Sequence, residues 1–298
     1  MKKTISWIPG YKNENWASTR IRVFYIHNAI NNLHEKEYKS IIGCQKDVDI
    51  LIIQKFIGSR GRAIRDCTGF KIYDFDDPVG YSEIKKIASC VDLVTTDTVA
   101  RKEKFDSLGY DIPCVVLEDC LDYELTDLHK TPEVSNKIVW FGNHPNYSSI
   151  KWMVPEIISN NFQLNLITQA GKIKENGVSI IPWNLNTFIN NLRKSNISVL
   201  SHGGSCSQVK SNNKMIASIA AGVPCIVSQS QSYEELAKQF DLDCFIVNDN
   251  NSLKNAMKHL NSIENRKEYL KDIQPYILNH FSSKVIARKL IKIIERYK

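Results

Sequence analysis

The chain alternates short, unbroken apolar and β-branched runs with longer stretches whose apolar positions recur every three or four residues. Thr4–Pro9 predicts a strand and Thr19–Leu33 a helix. Asp49–Gln54 (Asp-Ile-Leu-Ile-Ile-Gln) predicts a buried strand, and Gly69–Phe75 another that runs into acidic residues. Val91–Thr95 and Cys114–Leu117 repeat the pattern, with a helix over Thr98–Leu108 between them. Apolar runs without alternation suit strands covered on both faces. Strands separated by helices imply right-handed β-α-β units and a parallel sheet.

From Leu121 to Lys137 the composition turns polar, which predicts a linker. The pattern then restarts, with strands at Ile138–Phe141, Leu164–Thr168, Val178–Ile181, Ile197–Leu200, Cys225–Ser228 and Cys244–Val247. Helices are expected near Ser148–Asn160, Leu185–Lys194, Asn212–Ala221 and Tyr233–Phe240, and over Ser252–Lys298 with an interruption near Pro275. The fold class is therefore α/β, with two Rossmann-like, doubly wound parallel-sheet domains. We expect an N-terminal domain over residues 1–130, a second over 131–282, and a helix over 283–298 that crosses back and packs across both.

Composition adds little to this. The chain of 298 residues is 43% hydrophobic and 24% charged, ordinary for two globular domains. A net charge of +7 suits an anionic small molecule, a nucleic acid or a membrane surface alike. The eight cysteines include no C-x-x-C pair and mostly lie in apolar runs, so they predict reduced core residues and no zinc site. The N-terminus lacks the apolar core of a signal peptide, and no stretch is long enough to span a bilayer.

The most informative segment is Lys210 to Ser228. Ser211, Asn212 or Asn213 can cap a helix, Ala217, Ser218, Ala220 and Ala221 let it pack closely, and Gly222 ends it. Free N–H groups at its start, flanked by Lys210 and Lys214, suit a phosphate, with Ser211 and Asn213 as further donors. Gly142 with Asn143 after one strand, and His202-Gly203-Gly204 after another, allow close backbone approach, and His202 can bond a sugar hydroxyl or move a proton. Asp74, Asp76 and Asp77 stand at the carboxyl end of a strand, where a carboxylate can deprotonate an acceptor hydroxyl or pair with Arg20 or Arg22. Of those arginines only one can readily face a cleft, and Arg20 is favoured; Gly10, after the first strand, allows a ligand close to the backbone.

Asn213-Lys214 followed by Ala220-Ala221-Gly222-Val223-Pro224-Cys225-Ile226 resembles the donor-domain signature of GT-B glycosyltransferases. Trp140-Phe141-Gly142-Asn143, Ile181-Pro182-Trp183-Asn184 and Ile197-Ser198-Val199-Leu200 fall in the order that family shows, and Ala17–Arg22 resembles its first helix. Tyr73-Asp74-Phe75-Asp76-Asp77-Pro78 resembles an acidic strand end of some bacterial polysaccharide members. There is one departure. Val209 and Ala217 stand where many retaining members carry two glutamates, the second of which holds the nucleotide ribose.

The resemblance implies two domains facing a cleft and transfer of a sugar from a phosphate-activated donor, a nucleotide sugar, to a growing bacterial glycan, capsule or O-antigen. The acceptor would be a glycan or lipid-linked glycan. The enzyme would be cytoplasmic, with peripheral contact at the inner face of the membrane, where the Lys-rich segment 284–298 lends weak support. It would use no cofactor and no resident metal. The missing glutamates keep phosphoribosyl pyrophosphate open as donor, in which case Mg²⁺ enters, and they keep open a binding module without turnover. A nucleic-acid partner is not expected, because no basic tract interleaved with aromatics occurs.

Overall fold

A computed structural model describes residues 2–33, 37–122, 131, 135–169, 173, 175–202 and 207–298. The chain divides into two compact units. The first comprises Met1–Glu124, Val209–Ser211 and His280–Lys298; the second comprises Leu125–Gln208 and Asn212–Asn279. Most of the expected linker, residues 123–130 and 132–134, lies outside the described residues.

The first unit is built on six parallel strands: β1 (Lys3–Ile8), β2 (Tyr38–Ile42), β3 (Ile50–Gln54), β4 (Phe70–Phe75), β5 (Leu93–Thr96) and β6 (Cys114–Val116). Their order is β2-β1-β3-β4-β5-β6, so the order reverses between β1 and β3. Every residue of β3 is buried, as an interior parallel strand requires. Its side chains divide by pleat. Ile50 and Ile52 join one apolar cluster with Ile5, Ile72 and Leu93. Leu51 and Ile53 join the other with Tyr73, Phe75 and Val94. β2 is absent from the sequence-based expectation because it is an edge strand, with Lys39 exposed and Ile42 at 42% exposure.

One helical feature also differs from expectation. The helix after β1 opens with a π-helical stretch, Arg20–Phe24, before the α-helix Tyr25–Asn32. The last helix, Ser283–Tyr297, buries Ile286, Ala287, Leu290 and Ile294 in the first unit's core against Ile26 and Ile30. Its apolar stripe belongs to the first unit's core, so the chain returns to that unit after the second.

The second unit carries β7 (Lys137–Phe141), β8 (Gln163–Thr168), β9 (Val178–Pro182), β10 (Ile197–Leu200), β11 (Cys225–Ser228) and β12 (Ile246–Val247). The order β12-β11-β10-β7-β8-β9 is the doubly wound Rossmann order read from one edge, and it reverses between β7 and β10. The helix Asn213–Ala220 lies close to β10, with Ser218 Oγ 2.7 Å from Ser198 Oγ. Its end is a Schellman turn: Gly222 N–H reaches Ile219 C=O at 2.9 Å and Val223 N–H reaches Ser218 C=O at 3.0 Å, with Gly222 at φ +80°. The helix Ile263–Phe281 runs through Pro275 where an interruption was expected; buried Ile273 and Ile277 hold its axis on both sides of the missing N–H. The breaks fall instead before Ile263 and after Phe281.

The last helix yields a stability prediction. Leu290 is 1% exposed, so Leu290→Ala should lower unfolding free energy by about 2–5 kcal/mol. Urea titration of the full chain measures this. A loss under about 1 kcal/mol would mean that the helix only rests on the surface.

Candidate functional site

The reversal in each sheet leaves a gap between diverging crossovers at the strands' carboxyl ends, the place where open α/β sheets take ligands. The two units fill that edge in opposite ways.

In the second unit a lysine and several polar side chains gather at that edge. Gly142 follows β7, and a Cβ built there would lie 3.0 Å from Lys214 Nζ and 3.1 Å from the Trp140 ring. The Lys214 ammonium is therefore packed over the Gly142 backbone, 5.5 Å from the Trp140 ring centroid. Lys214 is the second residue of the Asn213–Ala220 helix, whose cap position, Asn212, makes no side-chain capping bond. The first-turn N–H groups have no acceptor within the helix and add their partial positive charge to the ammonium. Around the same sheet edge several buried polar atoms lack a hydrogen-bond partner: Trp140 Nε1, Thr168 Oγ1 at the end of β8, Ser230 Oγ after β11, and Tyr233 OH. Such orphans are rare in folded proteins and mark water or ligand positions. His202, after β10, stacks on Tyr233 with ring centroids 4.5 Å apart. Asn143 is exposed beside Gly142, and Gly203 and Gly204 lie outside the described residues.

In the first unit the edge is saturated by its own charges. Arg22 is 2% exposed. It donates to both oxygens of Asp74 at 2.6 and 2.9 Å, to Asp119 at 2.8 Å and to Leu117 C=O at 2.9 Å. Thr95 also donates to Asp74. Of the two roles expected for the acidic strand end, Asp74 takes the pairing with Arg22. Asp76 and Asp77 both meet the Lys55 ammonium, at 2.8 and 2.7 Å, with 10% and 30% of their side chains exposed. Arg20 is buried too, paired with both oxygens of Asp122 at 2.6 and 2.7 Å. Each arginine is thus paired with carboxylates of its own unit, Arg20 with Asp122 and Arg22 with Asp74 and Asp119. Gly10 comes close to Gln54, whose Oε1 accepts its N–H at 3.0 Å, and not to open space.

Two residues expected at the donor phosphate group with the first unit. Ser211 donates to Asp119 Oδ2 at 2.7 Å, because a buried carboxylate needs every donor within reach. Val209 C=O accepts from Arg101 Nη2 at 2.8 Å and Thr98 Oγ1 at 3.1 Å, and Lys210 lies between these anchors. Asn213 and Lys214 remain with the second unit. Sequence reasoning missed Lys55, Asp97, Arg101 and Asp119. A usable signal existed: Lys55 and Asp97 directly follow β3 and β5, and Thr98 caps the helix Val99–Asp106 through Arg101 N–H. Among the described residues no group of three or more His, Cys, Asp or Glu side chains is arranged to hold a metal ion, and no helix is long and apolar enough to cross a membrane.

No family model and no curated protein matches the chain. Solved structures do. An O-GlcNAc transferase of Thermobaculum terrenum matches with a TM-score of 0.65 at 12% identity, over 99% of this chain and 67% of that one. A DNA-modifying β-glucosyltransferase, solved with and without uridine diphosphoglucose, matches with a TM-score of 0.66 at 13% identity, over 99% and 100%. The fold is GT-B. TarM matches with a TM-score of 0.60 at 14% identity over 82% of this chain, which spans about half of its length (54%).

Burial pushes the Asp97 carboxyl up to about 7; Arg101 and Arg22 oppose this, and Asp119 and Asp76 add to it. An acid whose folded pKa exceeds its unfolded value, near 3.9, holds its proton more tightly when folded. That contribution is complete at low pH and drains away as pH rises through 7. The melting temperature of the wild type, taken relative to Asp97→Asn, should therefore fall between pH 5 and pH 8, by about 2–4 °C per kcal/mol lost. A difference independent of pH would show that Arg101, 2.5 Å away, keeps Asp97 ionised throughout.

Proposed function

We propose that the chain is a glycosyltransferase that holds the phosphate of a nucleotide-sugar donor at Gly142, Asn213 and Lys214 and passes the sugar to a bacterial surface glycan. The observation that carries this reading is the Lys214 ammonium seated over a glycine at the start of an uncapped helix, beside orphaned buried polar atoms. In the transfer the bond from the anomeric carbon to the phosphate oxygen breaks, and an acceptor hydroxyl supplies the new oxygen. The leaving phosphate gains negative charge, and a fixed cation with aligned N–H groups stabilises that charge without rearranging. Of the acidic strand end, Asp77 keeps the largest exposed share, and we assign it to take the acceptor's proton while its other contact, at 2.7 Å, is the Lys55 ammonium. Ala217 is buried inside the helix, so the ribose is held by other groups.

Solved GT-B relatives bound to uridine diphosphoglucose support the choice of donor class. Exposed Lys284, Arg288, Lys292 and Arg296, spaced four apart along the last helix, support an acceptor at an anionic membrane face in the cytoplasm. Because Asp74, Asp76 and Asp77 are already paired with Arg22 and Lys55, metal-bound phosphoribosyl pyrophosphate is the less favoured donor.

The test is a melting-temperature screen against UDP-, GDP-, CMP- and dTDP-sugars and phosphoribosyl pyrophosphate, with and without Mg²⁺. At a hundred times its Kd a donor should stabilise the chain by about 2.7 kcal/mol. Lys214→Ala and Gly142→Ala should each weaken that shift at least about tenfold in Kd, the loss of one charge-assisted contact. A shift that survives Lys214→Ala would falsify the phosphate site. Binding without release of free nucleotide, over a panel of glycan acceptors, would leave a module that does not turn over.

A further inference from the structure

Trp16 is the most exposed large apolar side chain among the described residues, at 47%. It is not on a loose loop. The segment from Gly10 to Trp16 is fixed at both ends: Gly10 N–H donates to Gln54, Arg20 donates to Glu14 C=O, and Arg20 N–H reaches Trp16 C=O at 3.0 Å. Arg20 is itself locked by Asp122. Across this loop Tyr11 stacks on Trp16, with ring centroids 4.2 Å apart and planes 10° apart, and Phe56 meets Tyr11 edge-on at 5.4 Å. Tyr11 supports one face of the indole, and the exposed area belongs to the rest of it. Tyr11 follows β1 and Phe56 follows β3, the two strands between which the first sheet reverses its order.

A rigid, supported, exposed aromatic face at a ligand-binding sheet edge calls for a flat apolar partner. We propose that the Tyr11–Trp16 pair is a stacking platform for a pyranose ring of the acceptor glycan, an assignment that rests on the transferase reading. The axial C–H groups of a pyranose carry slight positive charge and meet the negative face of the indole. Its equatorial hydroxyls need neutral polar neighbours at the rim, and the loop offers exposed Asn13 and Asn15. The loop's charges, Lys12 and Glu14, offset each other, and Arg60 has spent Nη1 on Pro9 C=O. A nucleic-acid strand would need a track of cations beside the stacking ring.

The experiment uses the full chain and four probes: cellotriose, chitotriose, maltotriose and a decathymidylate, followed by saturation-transfer NMR and indole fluorescence. UDP binding is measured in parallel by melting temperature. The platform predicts that at least one trisaccharide binds, that Trp16→Ala weakens it at least about tenfold, and that Trp16→Phe, which keeps a flat ring, stays within about threefold. UDP affinity should not change in either variant, which also shows that both remain folded. Saccharide affinity unchanged by Trp16→Ala overturns the proposal, as does the failure of all three trisaccharides to bind the wild type. Loss of decathymidylate binding in place of saccharide binding overturns it in favour of a nucleic-acid strand. If saccharide binding behaves as predicted while no nucleotide binds, the transferase reading fails and the platform stands.

Discussion

Arg22 has no route to water, and its charge must be met where it sits. An unpaired buried guanidinium is prohibitive, so its partners are obligatory and not decorative. They come from two places: Asp74 on β4, and Leu117 C=O and Asp119 in the segment after β6. One side chain thus ties the helix after β1 to the far side of the sheet. Asp119 in turn takes the Ser211 hydroxyl, and Arg101, itself paired with Asp97, takes Val209 C=O. These bonds explain why three residues from the middle of the second unit's sequence group with the first. The next residue, Asn212, is the cap of the helix that carries Lys214.

The two sheet edges divide the work by how their polar groups are satisfied. In the first unit carboxylates and cations neutralise one another: Arg22 with Asp74 and Asp119, Lys55 with Asp76 and Asp77, Arg101 with Asp97. Little charge is left over for a ligand. In the second unit the Lys214 ammonium lies over the Trp140 ring, and Tyr233 and Trp140 are buried with polar atoms that lack a hydrogen-bond partner among the described residues. An anion is the group that suits a cation beside such donors. An uncharged hydroxylated acceptor suits the first edge for the complementary reason, since it brings no charge to an edge that has none spare.

The parallel architecture was legible because interior strands have no polar face to hide. Ile50–Gln54 and Ile197–Leu200 are buried throughout and read as unbroken apolar runs. Tyr38–Ile42 was not legible, because an edge strand is half wet and its Lys39 breaks the run. Pro275 misled for the opposite reason: a local rule against proline in helices yields to buried neighbours on both sides. The helix that carries Lys214 was legible since its signals are local: small residues, Gly222 and a following strand within sixteen residues. The pairing of Asp74 with Arg22 was one alternative that the sequence offered, but the choice of arginine and the roles of Arg20 and Ser211 were not legible. Their partners lie 52 to 102 positions away along the chain, and pairing at that distance has no local pattern.

Arg20 shows what such long-range pairing accomplishes. A buried Arg–Asp pair contributes little net stability, because desolvation offsets most of the attraction. A half-exposed tryptophan forgoes burial that would have stabilised the fold. They meet at one seven-residue loop: Arg20, held by Asp122, donates to Glu14 C=O and so fixes the backbone that displays the ring. A sequence selected for stability alone would bury the indole and replace the pair with apolar contacts. Local features that each work against stability, yet reinforce one another geometrically, are what a binding surface leaves in a fold.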